Sequence, residues 1–327
     1  MGESVAASRA GDRTHDRPSH LATVVVNWNT VDLLDDCLAS IEAATPTGWR
    51  NDVVVVDNAS SDGSVEHLRA RWPGVRVIAN ADNVGFCRAN NQAIETTDAP
   101  LLLLVNTDAR LAPDGIAALA RHLEADDRVG VAGPRLVYGD GSWQRWTAGR
   151  LPRLSSMATY LCGLDRVAPT RFGRSGLYLG DDVGEAFRPE WVSSAVMLLR
   201  RDAIDEVGAF DDAIFVYMDD VDLCQRLGAG GWHVVYAADT TATHFMGAST
   251  KKVTGRASPE ALRSLNRWYV RHHGRAAGHR LRALEAVGFG TRAGVLAAAS
   301  LVGRPGARAR LSATTTHLRL ALEGIDA

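Results

Sequence analysis

The stretch YMDDVDLCQRL (217–227) crowds Asp219, Asp220 and Asp222 into four residues, directly ahead of an apolar-periodic helix. Like charges this close raise the pKa of at least one member, which suits a general base near neutral pH. Acids also favour a helix N-terminus on electrostatic grounds alone. That account covers Asp222 well and Asp219 and Asp220 less well, because these two follow the apolar residues of AIFVYM. A second constellation is Asn106, Thr107 and Asp108, which follow LLLLV. A carboxylate just outside a buried strand, among oxygen-bearing neighbours, suits a hard divalent cation that also binds diphosphate; taken singly, it equally suits a turn or a helix cap. Asp57 ends VVVVD, where it could accept hydrogen bonds from a ribose or a base, or form an Asx turn with Asn58. His244 follows the strand-like WHVVYAA and could complete a metal shell begun by Asp108, although a lone His is more often structural.

The elements that must position these residues alternate along the chain. Strand signals at 21–27, 52–57, 75–80, 101–106 and 129–137 are separated by helical periodicity at 31–44, 64–72, 86–97 and 113–125. This order predicts an α/β fold with an open, mainly parallel twisted sheet flanked by helices. Ligands gather beyond the carboxyl ends of strands in such sheets, and four of these strands end in polar residues: Asn27, Asp57, Asn80 and Asn106. Between about 136 and 189 periodicity weakens, and Trp143, Trp146 and Tyr160 stand among Gly, Arg and Pro, as in loops that could cover a site. Regularity returns at 191–201 and 203–210, and residues 258–283 read as helical and cationic.

Of 327 residues, 46% are hydrophobic and 23% charged, an ordinary globular balance. Residues 1–20 contain no apolar run, so they read as a disordered leader and not a secretory signal. Cys37, Cys87, Cys162 and Cys224 are scattered without a Cys-x-x-Cys pair, which suggests buried thiols in a cytoplasmic protein, and neither a zinc cluster nor a disulfide framework. The net charge of −2 conceals an asymmetry: residues 251–327 carry fourteen Lys and Arg against four acids, a net +10, which leaves −12 for the rest. A basic end of this kind faces something anionic: phospholipid, a lipid-linked diphosphate or nucleic acid. The most apolar segment, 286–303, is interrupted by Arg292 and four glycines, which disfavours a transmembrane helix and leaves an interfacial or a packing helix.

Read in order, VVVNWN, VVVVDNASSDGS, NVGFCRANN, LLLLVNTD, WVSSAVMLLRRDAIDEVGAFDD, YMDDVDLCQRLGAGGW and THFMGAS resemble a family 2 glycosyltransferase of GT-A fold, in its bacterial rhamnosyltransferase-like branch. The resemblance covers about 21–250 and implies a catalytic domain there, with a nucleotide-sugar half at about 21–135 and an acceptor half at about 136–250, followed by a helical cationic extension over 251–327. It implies that Asn27 and Trp28 line the nucleotide pocket, that Asp57 holds the base, and that Asn83, Gly85 and Asn91 border base and ribose. Asn106, Thr107 and Asp108 occupy the family's Asp-x-Asp site, with Asn in place of the first acid. Asp108 and His244 would then hold Mg2+ or Mn2+, Trp191 would abut the sugar or acceptor, and Ser194 would line the acceptor pocket, where this branch commonly has Gly. Asp220 would be the general base and Asp219, in place of the more usual Glu, its assistant in orienting the acceptor.

The reaction so implied is a single displacement with inversion. Its donor would be a nucleoside-diphosphate sugar, dTDP-rhamnose by the sub-branch resemblance, with UDP-sugars open. The acceptor would be a glycan or glycolipid reached by peripheral membrane contact through the basic end, at the inner face of the cell membrane; a soluble natural-product acceptor is the alternative, and no nucleic acid is expected. A sugar-phosphate nucleotidyltransferase would want a glycine-rich loop after the first strand, which NWNTVD lacks. A non-catalytic membrane-docking protein would have no use for Asp57, Asp108, Asp220 and His244 together.

Overall fold

The computed structural model describes residues 19–162, 176–245 and 259–323. Four β-branched or leucine-rich runs form the parallel half of an eight-stranded sheet: β1 (His20–Asn27), β2 (Arg50–Asp57), β3 (Arg76–Ala79) and β4 (Leu101–Asn106). Strands covered on both faces read as near-continuous apolar runs, and VVVV and LLLLV are such runs. The short β5 (Ala109–Leu111), then β6 (Val129–Val137), β9 (Val196–Arg200) and β10 (His233–His244) complete the sheet in the order β3-β2-β1-β4-β9-β6-β10-β5. β7 (Ala148–Gly149) and β8 (Trp191–Val192) form a separate antiparallel pair.

Helices cover both faces. Val25, Leu103 and Leu198 turn toward α1 (Val31–Ala44), α2 (Ser64–Arg71) and α4 (Gly115–Ala125), which bury Leu34, Ile41, Leu68, Ile116 and Leu119. Val24, Leu102 and Leu199, one residue along each strand, meet the layer that holds α3 (Phe86–Ile94), α5 (Leu154–Leu161), α6 (Arg201–Val207) and α7 (Asp219–Ala229). The same layer takes in Trp268 and Tyr269 of α8 (Pro259–His273) and Leu281 of α9 (Arg275–Leu301), so the first part of the cationic extension packs into the core beside the sheet. The chain closes with α10 (Ala307–Leu322).

The sequence expectation leaves the direction of β9 open and differs from the structure in two other features. β9 runs antiparallel between β4 and β6, so its N-terminal end lies at the carboxyl edge of β4; alternation shows that a strand exists but not its direction. The helical stretch read over 258–283 is broken at Gly274, whose φ of +81° only glycine adopts cheaply, and the apolar 286–301 is instead the second half of α9. Ser19 and His20 already belong to the sheet edge, through Arg50 N–H to the Ser19 carbonyl and His20 Nε2 to Asp52 at 2.8 Å. The rest of the leader, 1–18, lies outside the described residues, as do Met246–Ser249 of THFMGAS and the boundary drawn at 250. Among the described residues, no helix is long and apolar enough to cross a membrane.

Candidate active site

The carboxyl edge of the sheet is stitched together by side chains from successive strand ends. Buried Asn27 donates from Nδ2 to Asp57 Oδ2 at 2.7 Å and accepts from the Thr30 hydroxyl at 2.7 Å, and Thr30 Oγ1 in turn accepts from the Thr107 hydroxyl at 3.0 Å. One chain of hydrogen bonds therefore runs from Asp57 to the neighbour of Asp108. Asp57 also accepts the Ser60 N–H at 2.9 Å, so the Asx-type turn is present and shares the carboxylate with Asn27. Trp28 follows β1 half-buried.

The loop after β3 is held from inside. Asn58 Nδ2 donates to Asn83 Oδ1 and to the Gly85 carbonyl, both at 3.1 Å, and Asn83 Oδ1 accepts the Gly85 N–H at 3.0 Å. Gly85 does permit a close backbone approach, but the neighbour is protein: a Cβ would sit 2.8 Å from the Phe215 carbonyl oxygen, and its φ is +91°. Phe86 N–H donates to that same carbonyl at 2.6 Å. Asn91, expected beside base and ribose, has its amide engaged elsewhere: it donates to the Phe210 carbonyl and Asp212 at 2.8 Å each and accepts the Phe210 N–H at 3.0 Å. Loop and helix α3 thus grip the segment 210–215 that leads to the acid pair.

Asp108 and His244 meet. β10 pairs with β5 so that His244 stands opposite Ala109, and His244 Nε2 lies 3.3 Å from Asp108 Oδ1. Sequence reasoning missed the residue behind them, Gln144, which is 1% exposed. Its Nε2 donates to the Val137 carbonyl at 3.1 Å and to the His244 carbonyl, which turns Oε1 toward His244 Nδ1 at 3.1 Å. An amide oxygen can only accept, so His244 Nδ1 donates to Gln144 Oε1, and Nε2 is the nitrogen turned toward the Asp108 carboxylate. This donor set, one imidazole and one carboxylate, fits Mg2+ or Mn2+ completed by diphosphate oxygens and water.

The acid pair arrives from the other side. Because β9 is antiparallel, Asn106 N–H donates to the Ala195 carbonyl at 2.9 Å, which brings Ser194 alongside Asn106–Asp108. Ser194, expected on the acceptor, donates from Oγ to Asp219 Oδ2 at 2.6 Å in a buried contact. Asp219 and Asp220 begin α7 after Tyr217 and Met218, two consecutive non-glycine residues with φ of 64° and 65°. Burial raises the Asp219 carboxyl, while burial followed by the charge of Asp219 pushes Asp220 up to about 8. Trp191, expected against the sugar, is 5% exposed: its indole N–H donates to the Arg150 carbonyl at 3.2 Å, and its ring meets Tyr178 edge-on. The exposed aromatic of this cluster is Trp146, at 43%, on the segment that runs from Gln144 to Thr147, whose carbonyl accepts the Ser193 N–H.

The glycosyl transferase family 2 profile matches residues 23–178, and that of glycosyl transferase family group 2 matches 101–272. An N-acetylglucosaminyl-diphospho-decaprenol L-rhamnosyltransferase of Mycobacterium tuberculosis is 30% identical over 70% of this chain and 77% of its own length. The chain belongs to glycosyltransferase family 2. A rhamnosyltransferase of Escherichia coli is 23% identical over 67% of this chain and 82% of its own, which keeps this family 2 protein on the rhamnosyltransferase-like side. In fold, a mannosyltransferase from Pyrobaculum calidifontis, solved with GDP-Man and Mn2+, superposes with a TM-score of 0.57 at 18% identity, covering 92% of this chain and 85% of that one. GalNAc-T7, solved with UDP, GalNAc and Mn2+, gives 0.54 at 14% identity over 79% of this chain and 51% of its own. The family 2 chain therefore has the GT-A fold and is a glycosyltransferase.

Proposed function

We propose that this glycosyltransferase transfers L-rhamnose, with inversion, from dTDP-rhamnose to a hydroxyl of a polyprenyl-diphosphate-linked glycan. The observation that carries the reading is the convergence, on one sheet edge, of the Asp108–His244 pair with the acid pair Asp219–Asp220, bridged by Asn106 and Ser194. Sugar and acceptor are inferred from the mycobacterial relative, whose name specifies L-rhamnose and an N-acetylglucosaminyl-diphospho-decaprenol.

In this reading Asn27, Trp28, Asp57, Asn83 and Gly85 form the wall against which the nucleoside lies, and Asn106, Thr107, Asp108 and His244 face the diphosphate. Asp108 and His244 would hold a divalent cation, which when bound would neutralise charge developing on the departing nucleoside diphosphate. Asp220, half-buried beside Asp219, takes the proton of the acceptor hydroxyl as its oxygen attacks the anomeric carbon from the face opposite the leaving group. Asp219 is fixed by the Ser194 hydroxyl, and its charge adds to the burial that makes Asp220 more basic. Trp146 offers an exposed ring for the apolar face of an acceptor sugar.

The acceptor's anchor suggests action at the inner face of the cell membrane. The outer side of α9 supports contact there: Val287, Val295, Leu301 and Val302 are exposed in a stripe, while Arg292, the segment's charge, turns inward to the Tyr160 and Leu161 carbonyls. Arg304, Arg308 and Arg310 follow at once, as an anionic bilayer would favour.

The test is a transfer assay with a panel of nucleotide sugars and a polyprenyl-diphosphate-linked N-acetylglucosamine, with products read by mass and anomeric NMR couplings. A deoxyhexose added with inverted configuration is expected. Retention of configuration, or preference for a UDP-sugar, contradicts the proposal.

A further inference from the structure

The acid pair is carried on a turn that cannot hold itself. Two consecutive left-handed residues, Tyr217 and Met218, cost roughly 1–2 kcal/mol each, and such backbone persists only where surrounding contacts over-determine it. The nucleotide-side loop supplies one set of contacts, through Phe86 and Asn91 to Phe215 and Phe210. The opposite set comes from α8. Buried Ser264 donates from Oγ to the Val216 carbonyl at 2.8 Å, one residue before the strained pair. Arg271 pairs with Asp211, at the start of the same segment. His272 Nε2 lies 2.8 Å from Asp222 Oδ1, in the first turn of α7 itself. The other Asp222 oxygen takes Arg226 Nε at 2.8 Å, and Arg226 donates on to the carbonyls of Val207, Gly208 and Ala209, where the segment begins. Trp268, with its ring centroid 5.0 Å from that of His272, fills the space between these anchors.

Ser264, Trp268, Arg271 and His272 follow the spacing i, i+4, i+7, i+8, so a single face of α8 makes all of these contacts. These polar contacts of Ser264, Arg271 and His272 go to Val216, Asp211 and Asp222, on the side of the acid pair. We infer that α8 is a positioning element of the catalytic site, with His272 and Ser264 as positioning residues that hold the Tyr217–Met218 turn and thereby aim Asp220 at the acceptor hydroxyl. The inference rests on the reading of Asp220 as base. It assigns the beginning of the cationic extension a part in turnover that is separate from any contact with lipid.

The experiment compares His272→Leu, His272→Gln and Ser264→Ala with wild type and with Asp220→Asn in the full-length enzyme. Measured are kcat, donor KM and Mn2+-dependent nucleotide binding by calorimetry, with melting temperature as the folding control. For His272→Leu, kcat is expected to fall about 10–100-fold, the scale of a small misplacement of a reacting group, while donor KM and nucleotide affinity stay within about twofold. His272→Gln keeps a hydrogen-bonding group near the position of Nε2 and is expected to recover most of the loss. Ser264→Ala should fall in the same direction, and it decides the matter alone if His272→Leu does not fold. Folded variants with wild-type kcat, or with donor affinity lost in parallel with kcat, overturn the inference. Retained turnover in Asp220→Asn would instead remove the base assignment on which it rests, so the two failures are distinct.

Discussion

Asp220 and Asp219 are two carboxyls with different surroundings and, in the proposed reaction, different tasks. Burial and then the neighbouring charge push Asp220 up to about 8, and a base works only when ionised. Turnover is therefore expected to rise with pH through that value, well above the ordinary carboxylate range, in a kcat/KM profile. Asp219→Asn removes the like charge while leaving burial in place, so the rising limb should move to lower pH; a limb that stays put shows that Asp219 does not set it. At the other pair, Gln144 fixes which nitrogen of His244 faces Asp108. Gln144→Leu should weaken Mn2+ binding to the enzyme–nucleotide complex about 10–100-fold by calorimetry, the usual cost of losing a ligand's outer partner, with nucleotide binding in EDTA unchanged. Equal Mn2+ affinity in the variant would show that His244 needs no such support.

At the scale of elements, much of the arrangement is legible in the sequence. The helix at 31–44 and the strand at 129–137 have the bounds their periodicity indicates, and Asn27, Asp57 and Asn106 do end parallel strands. What is not legible depends on contacts between distant segments. No local pattern reveals that β9 runs backwards, and it is this reversal that carries Ser194 to Asp219. Gln144 lies in a stretch without periodicity, and its role appears only when β10 delivers His244 beside it. Trp191 resembles a ligand-facing aromatic by position, yet its indole N–H is consumed by Arg150 within the small sheet. Between α8 and α9, Glu285 is fully buried and accepts one hydrogen bond, from Asn266 at 3.0 Å. Burial raises its carboxyl from 4.5 to about 7, so the neutral form is the one the fold prefers. Its contribution to stability is full below 4.5 and is lost as pH rises through about 7. Glu285→Gln should therefore raise the melting temperature at pH 8 and have a smaller effect at pH 5; a variant equally destabilised at both contradicts this account.

Across the whole molecule, charge and apolar surface are divided between two ends. The sheet edge with its carboxylates lies in the acidic part of the chain, while the net +10 of residues 251–327 accompanies an apolar stripe on α9. Replacing Val295 and Leu301, which are 65% and 90% exposed, with Asp should reduce sedimentation with vesicles containing anionic phospholipid and leave transfer to a short-chain acceptor unchanged. Vesicle binding equal to wild type would exclude α9 as the contact. The central claim concerns the other end, that an acceptor hydroxyl loses its proton to Asp220 while a sugar nucleotide is held beside Asp108 and His244. Its most direct measurement is single-turnover transfer by Asp220→Asn, with donor affinity determined on the same protein. The account predicts a loss of about 10²–10⁴-fold in the transfer rate, with donor affinity near that of wild type. Transfer within a few-fold of the wild-type rate would contradict it.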